Sequence, residues 1–372
     1  MMKKSLLSCA LLASLFTAQA FAAEVKIGVI MPLSGEYAGY GQSALAGIEL
    51  ANKMLPNAGA HSISIIKLDS KGDKLESQNA ATRLVSNDKV SAVIGEMLTG
   101  NTVQIMSVTE GKNIPLIAPA ATSDKMLDGK KYSARVCFMD SFQGQSLAKY
   151  VHSALGHKKA IVVKDQSTDY SLGLAKAFTQ QFKALGGEIL ADYKIQGTDK
   201  DFKALIAQIS SQDAQFLYLP LYYQQASLFI KQARAAGLKI AAGSADGTAD
   251  EKFIELAGEA SEDYLYTDSF DANYPPTELS KEFIAKYSAQ NNGALPSNFT
   301  AMGADAYFVL QEAIAKCEDA SSECINNEMH KTSAFKGVSG VINIDATGNA
   351  SRSLIIKEIK GGKQLYKDIV QP

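Results

Sequence analysis

Residues 25–41 read VKIGVIMPLSGEYAGYG and contain the first unit of a repeating strand–helix pattern. The apolar run Val25–Met31 is rich in Val and Ile and predicts a buried strand. A glycine-containing loop follows, and helical periodicity begins near Tyr40 and continues to Leu55. The chain is therefore predicted to open with a β–loop–α unit.

The same alternation of short apolar runs and amphipathic helical patterns recurs in two series. The first series contains the predicted strands Val25–Met31, Ser62–Leu68, Val90–Gly95 and Ile114–Ala118, with helices at Tyr40–Leu55, at Leu75–Ser86 and from Thr99. The second contains the predicted strands Ala160–Lys164, Ile189–Ile195, Phe216–Leu219 and Ile240–Ala242, with helices at Ser171–Leu185, at Asp199–Ser211 (Asp199 as the N-cap) and at Gln224–Ala236. Crossovers of this length predict parallel sheets with helices on both faces, one doubly wound domain per series.

The pattern changes in the last third of the chain. After the strand Tyr264–Phe270 the periodicity predicts two helices, Thr277–Asn291 and Phe299–Lys316, and then two strands, Gly340–Ile344 and Leu354–Ile359. Because no long linker or low-complexity tract sets this tail apart, we expect it to complete the two existing domains.

Length and charge agree with this organisation. The chain has 372 residues, of which 46% are hydrophobic and 20% charged. This length predicts two domains, and the composition excludes disordered, collagen-like and disulfide-dense classes. The 37 basic and 39 acidic residues leave a net charge of −2, which argues against a nucleic-acid partner.

The first 22 residues have the features of a secretory signal peptide. Lys3 and Lys4 precede an apolar run, Leu6–Phe16, that is too short to span a bilayer. Cleavage after Ala20 or after Ala22 fits equally. The position of Cys9 early in the apolar run argues against lipidation. The mature protein is predicted to be exported, soluble and periplasmic.

Three cysteines remain after removal of this peptide. Cys317 and Cys324 lie seven residues apart, so in an oxidising compartment they form a disulfide or stay as two thiols with about equal weight. Cys137, between Val136 and Phe138, is predicted to be a buried free thiol.

Sequence signatures of enzymes are absent. The chain has no His-Glu-x-x-His, Cys-x-x-Cys, Gly-x-Ser-x-Gly or Walker A motif, so no metal and no catalytic residues are predicted. The stretch Gly39–Ala44 matches a dinucleotide fingerprint, and Asp69 ends the second strand. Seven residues separate Met31 from Gly39, however, so the tight strand–helix turn of that fingerprint cannot form. We predict no enzyme activity and no cofactor.

Hydroxyl side chains follow two strands of the first series. Thr99 follows Val93–Gly95, and Thr122 follows Pro119–Ala121, each where a helix begins. Helix N-termini bind carboxylates, although such residues also serve simply as caps. Two such loops on adjacent strands favour a ligand site at the carboxyl edge of the sheet.

Several motifs resemble the periplasmic branched-chain amino-acid-binding proteins. They occur in the family's order across essentially the whole mature chain: Lys26–Val29, Pro32–Gly35 with Tyr40-Gly41, Ala118–Thr122, Asp199–Phe202 and Gln232–Lys239. The resemblance implies a type I periplasmic binding fold, an α/β Venus-flytrap of two doubly wound lobes joined by three crossovers. It divides the chain into an N-terminal lobe of residues 23–140 and 271–346 and a C-terminal lobe of residues 141–270 and 347–372.

The resemblance also implies a ligand site between the lobes. Thr99 and Thr122 would hold an α-carboxylate, the Ala120 carbonyl and Asp246 an ammonium, and Tyr170 and Tyr222 would close the site from the second lobe. Tyr40, Met97, Leu98 and Phe299 would border the ligand side chain. The full predicted set is Tyr40, Met97, Leu98, Thr99, Ala120, Ala121, Thr122, Tyr170, Tyr222 and Asp246.

Two departures from the family pattern bear on specificity. Gly72 and Leu98 stand where some relatives have a disulfide, and Asp246 is one methylene shorter than the family's glutamate. Met97 and Leu98 indicate an apolar pocket, whereas Glu96 beside them would admit a polar or basic ligand. The implied function is capture of an amino acid by a monomer that delivers it to the membrane permease of an ABC importer. The alternative is a sensory protein that serves a chemoreceptor or kinase.

Overall fold

The computed structural model describes residues 24–372; the predicted signal peptide and Cys9 lie outside them. These residues form two large sheets, one in each lobe, and one small sheet. The strands are β1 (Glu24–Met31), β2 (Asn57–Ala58), β3 (His61–Asp69), β4 (Ala92–Gly95), β5 (Leu116–Ala118), β6 (Ser133–Arg135), β7 (Lys159–Asp165), β8 (Glu188–Ile195), β9 (Phe216–Tyr218), β10 (Ala241–Gly243), β11 (Tyr264–Asp268), β12 (Phe335–Lys336), β13 (Val341–Ile344), β14 (Ala350–Ser351), β15 (Leu354–Lys360) and β16 (Lys363–Val370).

Eleven α-helices accompany these strands in the described part of the chain. They are α1 (Ala38–Met54), α2 (Lys74–Arg83), α3 (Thr99–Thr109), α4 (Asp140–Lys149), α5 (Asp169–Ala184), α6 (Lys203–Ser210), α7 (Tyr223–Ala235), α8 (Glu251–Ala257), α9 (Glu278–Gln290), α10 (Asn298–Ala315) and α11 (Ser322–Met329). Within residues 24–372 none of them is long and apolar enough to cross a membrane.

Both large sheets are doubly wound. The first has the order β2-β3-β1-β4-β5-β6 and is parallel except for β2, and the second has the order β16-β15-β11-β10-β9-β7-β8 and is parallel from β11 to β8. In each sheet the strand order reverses beside the first strand, β1 or β7. Ligands of such sheets bind at the carboxyl ends of the strands near this reversal. The predicted α/β class is confirmed.

Each sheet buries apolar side chains on both faces, which explains why its strands are continuous apolar runs. In the first lobe α1 and α10 cover one face, and α2 and α3 cover the other. In the second lobe α4 and α5 cover one face, and α6 and α7 cover the other. The late helix α10 therefore packs with α1 against the first sheet.

Two glycines allow α1 and α10 to pack closely. A Cβ atom on Gly47 would lie 1.9 Å from the Thr300 carbonyl oxygen, and one on Gly303 would lie 2.2 Å from the Ala44 carbonyl oxygen. Since both neighbouring atoms are backbone, no side-chain rotation can relieve these contacts. The tail helix is thus held against the first helix by backbone-to-backbone packing.

The chain passes between the two lobes three times: after β6, after β11 and between β14 and β15. Arg352, buried in the third passage, donates to the Val136 carbonyl in the first passage (3.4 Å) and to the Ser269 carbonyl in the second (2.9 Å). It also donates to the Ser339 hydroxyl and carbonyl, both at 2.8 Å. One guanidinium therefore joins all three connecting segments.

The structure decides whether Cys317 and Cys324 are bonded or remain two thiols. Cys317 and Cys324 form a disulfide with a Cα–Cα distance of 5.9 Å, which joins the end of α10 to α11. Cys137 is free and buried, as predicted. The bonded pair closes a short loop and so anchors α11 to the preceding helix.

One helix start was predicted wrongly. Helix α6 begins at Lys203, with Phe202 at the N-cap position, rather than at Asp199. The Asp199 carboxylate instead accepts from the Gln196 backbone N–H at 2.8 Å. The side chain that would cap a helix here stabilises the turn before it, because local side-chain-to-backbone hydrogen bonds compete with helix formation.

Candidate ligand-binding site

A narrow cavity lies between the lobes, where the carboxyl ends of both sheets face each other. The residues that line it come from both lobes and are Tyr40, Met97, Thr99, Ala120, Tyr170, Tyr222, Asp246, Gly247 and Phe299. Seven of these were predicted from the sequence as ligand-binding residues, and Phe299 as a border of the side chain. Gly247 was not predicted, since only its position after Asp246 indicates it.

Thr99 and Thr122 mark one end of the site. Thr99 is the first residue of α3, and Leu98 occupies the N-cap position without a side-chain capping bond. The Thr99 hydroxyl oxygen is buried and has no hydrogen-bond partner among residues 24–372, whereas the Thr122 hydroxyl lies beside the Asp140 carboxylate. No helix begins at Thr122, contrary to the prediction. Thr99 does not cap α3, so its hydroxyl and the positive end of the α3 dipole are available to an anion.

Asp246 provides the opposite charge. It lies in a single 3₁₀ turn that follows β10, and its Oδ1 accepts from the Tyr170 hydroxyl at 2.9 Å. The Tyr170 hydroxyl in turn accepts from the Gly247 N–H at 2.8 Å, which fixes the turn to α5. Burial raises the pKa of Asp246 to about 7. In the part of the chain that the structure describes, Asp246 forms no ion pair, so a bound cation would stabilise its carboxylate.

Aromatic and thioether side chains line the space between these two ends. The Tyr170 and Tyr222 rings are stacked with centroids 4.6 Å apart. The Tyr40 and Phe299 rings pack edge to face, and their centroids are 4.9 Å apart. Met97 completes this apolar wall. The cavity therefore combines a hydroxyl at a helix N-terminus, a carboxylate and an apolar wall.

Three predicted residues do not line this cavity. Leu98 lies at its outer side, in the neighbouring cleft that it shares with Thr99 and Tyr222. Ala121 packs in the core beneath the first sheet, and its carbonyl accepts from Arg135 and Cys137. Thr122 is fully buried and lines neither this cavity nor the neighbouring cleft. Of these three residues, only Leu98 lines a part of the cleft between the lobes.

Glu96 is not a ligand group. Its Oε1 accepts from the Ser70 hydroxyl at 2.5 Å and from the Asn101 amide at 3.0 Å, and its Oε2 accepts from the Met97 and Leu98 backbone N–H groups at 3.1 and 2.8 Å. Burial raises the pKa of Glu96, and these four donors oppose that effect. The expectation that Glu96 admits a polar or basic ligand is wrong, because its carboxylate holds the loop that carries Met97 and Leu98.

The lobes also touch each other directly at the rim of the cavity. The Tyr40 hydroxyl donates to the Gly247 carbonyl and accepts from the Tyr223 backbone N–H at 3.1 Å. The Tyr223 hydroxyl donates to the Glu36 carbonyl at 2.6 Å, and the Glu36 carboxylate pairs with Lys200 at 3.2 Å. These bonds, together the rim contacts, define a closed cleft.

Two doubly wound lobes that close over a cavity lined by hydroxyl, carboxylate and apolar side chains are typical of a solute-binding protein. The chain belongs to the periplasmic binding protein family, whose model matches residues 24–364. It is 30% identical over 288 residues to the Leu/Ile/Val-binding protein of Escherichia coli K12, covering 75% of this chain and 77% of that one. It is 28% identical over 334 residues to the Leu/Ile/Val-binding protein of Citrobacter freundii, covering 89% of each chain.

Solved structures of related proteins agree with the fold. A leucine-binding protein from Thermotoga maritima matches with a TM-score of 0.91 and 33% identity, over 94% of this chain and 99% of that one. The branched-chain amino-acid-binding protein LivJ of Streptococcus pneumoniae, in complex with isoleucine, matches with a TM-score of 0.88 and 30% identity, over 94% of this chain and 100% of that one. The type I periplasmic binding fold is thereby confirmed.

Proposed function

We propose that this protein captures a branched-chain or similarly apolar α-amino acid in the cavity between its lobes and delivers it to an ABC importer. The carrying observation is the set of groups that the two lobes bring to one cavity: the Thr99 hydroxyl at a helix N-terminus, the Asp246 carboxylate, which forms no ion pair in the described chain, and aromatic and Met side chains. A buried zwitterion needs both of its charges paired, since an unpaired one costs several kcal/mol.

Each group of the ligand has a proposed partner. The α-carboxylate is bound by the Thr99 and Thr122 hydroxyls and the first turn of α3. The α-ammonium is bound by the Asp246 carboxylate and the Ala120 carbonyl, with Tyr170 orienting Asp246 through the 2.9 Å hydrogen bond.

The ligand side chain has an apolar environment. It lies against Tyr40, Met97, Tyr222 and Phe299, with Leu98 at the outer side, and Ala121 supports the loop from below. Because Glu96 is occupied by four donors, no charged group is left beside this part of the cavity to favour a basic ligand.

Binding is coupled to movement of the lobes. We take residues 23–140 and 271–346 as the N-terminal lobe and residues 141–270 and 347–372 as the C-terminal lobe, with residues 1–22 removed on export to the periplasm. The ligand contacts both lobes only when the cleft is closed, so it shifts the population towards the closed state. The closed monomer is then the form that the membrane permease recognises.

The names of the relatives support an amino acid as the ligand. The Escherichia coli and Citrobacter freundii relatives are Leu/Ile/Val-binding proteins, and the Streptococcus pneumoniae relative was solved with isoleucine. The aromatic and Met walls of the present cavity fit the same chemical class.

Calorimetry with matched ligands tests this proposal. The protein is titrated with L-leucine, L-isoleucine, L-valine, D-leucine, 4-methylpentanoate and isopentylamine; the last two lack the amino and the carboxyl group of leucine. We expect at least one L-amino acid to bind. Both truncated analogues should bind at least about a hundredfold more weakly, because each leaves the protein groups that bind the missing charge without a partner. Absence of binding by every L-amino acid tested would refute the proposal.

A further inference from the structure

The cavity adjoins the neighbouring cleft between the lobes. This cleft, here named the outer cleft, is open and has Tyr37 and Gly72 among its walls. Among residues 24–372, Thr99, Tyr170 and Tyr222 are the side chains that line both the cavity and the outer cleft. These three side chains therefore form the boundary between the two spaces and limit how far a bound side chain can extend.

Tyr222 is the least constrained of these three side chains. Thr99 is the first residue of α3, so the helix determines its position. The Tyr170 hydroxyl is fixed by its hydrogen bonds with Asp246 and with the Gly247 N–H. The Tyr222 hydroxyl, in contrast, makes no hydrogen bond to any of residues 24–372. The orientation of the Tyr222 ring therefore depends on the side chains that pack against it.

Aromatic rings from both lobes pack against Tyr222. Tyr170, from the same lobe, stacks on it with centroids 4.6 Å apart and an angle of 8° between the ring planes. From the first lobe, Tyr37 and Tyr40 pack edge to face with it, at centroid distances of 5.5 and 6.2 Å. Tyr37 is thus the nearer of the two rings that contact Tyr222 from the other lobe, and it lines the outer cleft rather than the cavity.

Tyr37 is in turn confined by the backbone of its own lobe. It occupies the N-cap position of α1, and its side chain forms no capping hydrogen bond. Its ring packs against Gly72 instead, since a Cβ atom on Gly72 would lie 2.9 Å from Tyr37 Cδ2. This close contact limits the movement of the Tyr37 ring.

The loop that carries Gly72 is fixed as well. The Ser70 hydroxyl donates to the Glu96 carboxylate at 2.5 Å and accepts from the Gly72 N–H at 3.3 Å. The same carboxylate accepts from the Met97 N–H at 3.1 Å. One buried carboxylate thus connects the Met97 wall of the cavity with the glycine against which Tyr37 packs.

Tyr37 contributes through its ring rather than through its hydroxyl. The hydroxyl makes no hydrogen bond to any of residues 24–372, and burial raises the pKa of Tyr37, so the side chain is uncharged at neutral pH. The substitution Tyr37→Phe therefore preserves the contact with Tyr222, whereas Tyr37→Ala removes it.

We propose, on the basis of the amino-acid function above, that Tyr37 is a positioning residue that sets the size limit of the site by holding Tyr222 at the boundary of the cavity. Tyr37 touches no ligand and acts only through Tyr222. A ligand with an aromatic side chain has to displace the Tyr222 ring, which disrupts its contact with Tyr37. Without the Tyr37 ring, Tyr222 can turn into the outer cleft, and the two spaces join.

The test is calorimetric titration of L-leucine, L-isoleucine, L-valine and L-phenylalanine into the wild type, Tyr37→Ala and Tyr37→Phe. Tyr274→Ala, which removes an exposed ring, is the matched control. We expect the wild type, Tyr37→Phe and the control to prefer the best aliphatic ligand over L-phenylalanine by at least about thirtyfold, because the fit of a hydrophobic pocket gives about 10–200-fold discrimination. In Tyr37→Ala this preference should fall by at least about tenfold.

Other roles of Tyr37 give different results. If Tyr37 only stabilises closure of the lobes, Tyr37→Ala weakens the binding of every ligand by the same factor, and the proposal is overturned. An unchanged preference in Tyr37→Ala, or equal affinity of the wild type for aliphatic ligands and L-phenylalanine, overturns it as well and leaves the amino-acid function intact. Absence of wild-type binding to L-leucine, L-isoleucine and L-valine overturns both.

A double-mutant cycle tests whether Tyr37 acts through Tyr222. Tyr222→Ala removes the boundary ring itself and should lower the preference at least as much as Tyr37→Ala does. Adding Tyr37→Ala to Tyr222→Ala should then change the preference by less than about twofold, because no ring is left to position. Additive effects of the two substitutions would contradict the proposal. If Tyr37→Ala does not fold, Tyr37→Leu, which retains a larger apolar side chain, takes its place with the same expected results.

Discussion

Substitution of Asp246 by asparagine removes the one carboxylate among the residues that line the cavity. The side chain keeps its size, and its oxygen can still accept from the Tyr170 hydroxyl, which now lies at 2.9 Å. What is lost is the negative charge that faces the ligand's ammonium. Removal of one partner of a buried ion pair costs about 3–5 kcal/mol. Because 1.4 kcal/mol corresponds to tenfold, the Kd for leucine should rise by roughly a hundredfold to a few thousandfold.

The free protein should respond in the opposite direction. Burial raises the pKa of Asp246 to about 7, above its ordinary value of 3.8, so the charged form destabilises the closed, empty protein. This cost is absent below about pH 4, grows as the pH rises towards 7 and is constant above. At pH 8 the free Asp246→Asn variant should therefore melt at the same temperature as the wild type or higher.

Calorimetry gives the Kd, and differential scanning fluorimetry of the same samples gives the melting temperature. Glu251→Gln, an exposed carboxylate five residues further on, is the control and should bind as the wild type does. If Asp246→Asn binds leucine within about threefold of the wild type, or loses affinity only because it melts early, Asp246 is not the ammonium partner.

Three further predictions concern other parts of the molecule. Thr122→Val removes a buried hydroxyl and should raise the Kd about tenfold to a hundredfold by calorimetry, since a hydrogen bond to a charged group contributes about 1.5–3 kcal/mol. An unchanged Kd would exclude its role. Arg352→Met leaves the Ser269 and Ser339 carbonyls without their donor. The free energy of unfolding, measured with urea, should fall by about 3 kcal/mol or more. A loss under about 1 kcal/mol would mean that water replaces the guanidinium. Gly303→Ala places a methyl group 2.2 Å from the Ala44 carbonyl oxygen and should lower the melting temperature by several degrees. The control Glu312→Ala, at a solvent-accessible position of the same helix, should leave the melting temperature unchanged. Equal melting temperatures of the two variants would show that α1 and α10 can move apart.

The elements that sequence patterning predicted well are those buried on both faces. The strand β1 was predicted within one residue, and α10 within one residue at each end, because their apolar runs are long and clearly bounded. A helix was predicted to end beside His152 and His157, but the start of α4 was not predicted, since its sequence DSFQGQSLAK has few apolar residues and packs through Gly144 against α5. The edge strand β16 was missed, because its alternating charged residues face solvent. Both depend on tertiary contacts that periodicity does not record.

The residues of the candidate site also differ in how well the sequence predicted them. Residues such as Thr99 and Asp246 were accessible through motif resemblance, which carries their positions directly. Tyr223 was not, because no local pattern distinguishes a tyrosine that joins the two lobes from one that packs in the core. The four hydrogen bonds to the Glu96 carboxylate could not be predicted either. The Ser70 hydroxyl comes from the loop after β3, and the other three donors come close to Glu96 only when its own loop is folded.

The rim contacts have a consequence for how affinity is distributed. The bonds that Tyr40 and Tyr223 make between the lobes join protein groups to one another, so part of the free energy of closure is contributed by the protein alone. The observed Kd is the intrinsic Kd divided by the fraction of molecules already competent to bind. Evolution can therefore retune affinity for one and the same ligand at Tyr223, which does not line the cavity, without altering the selectivity that the cavity walls determine.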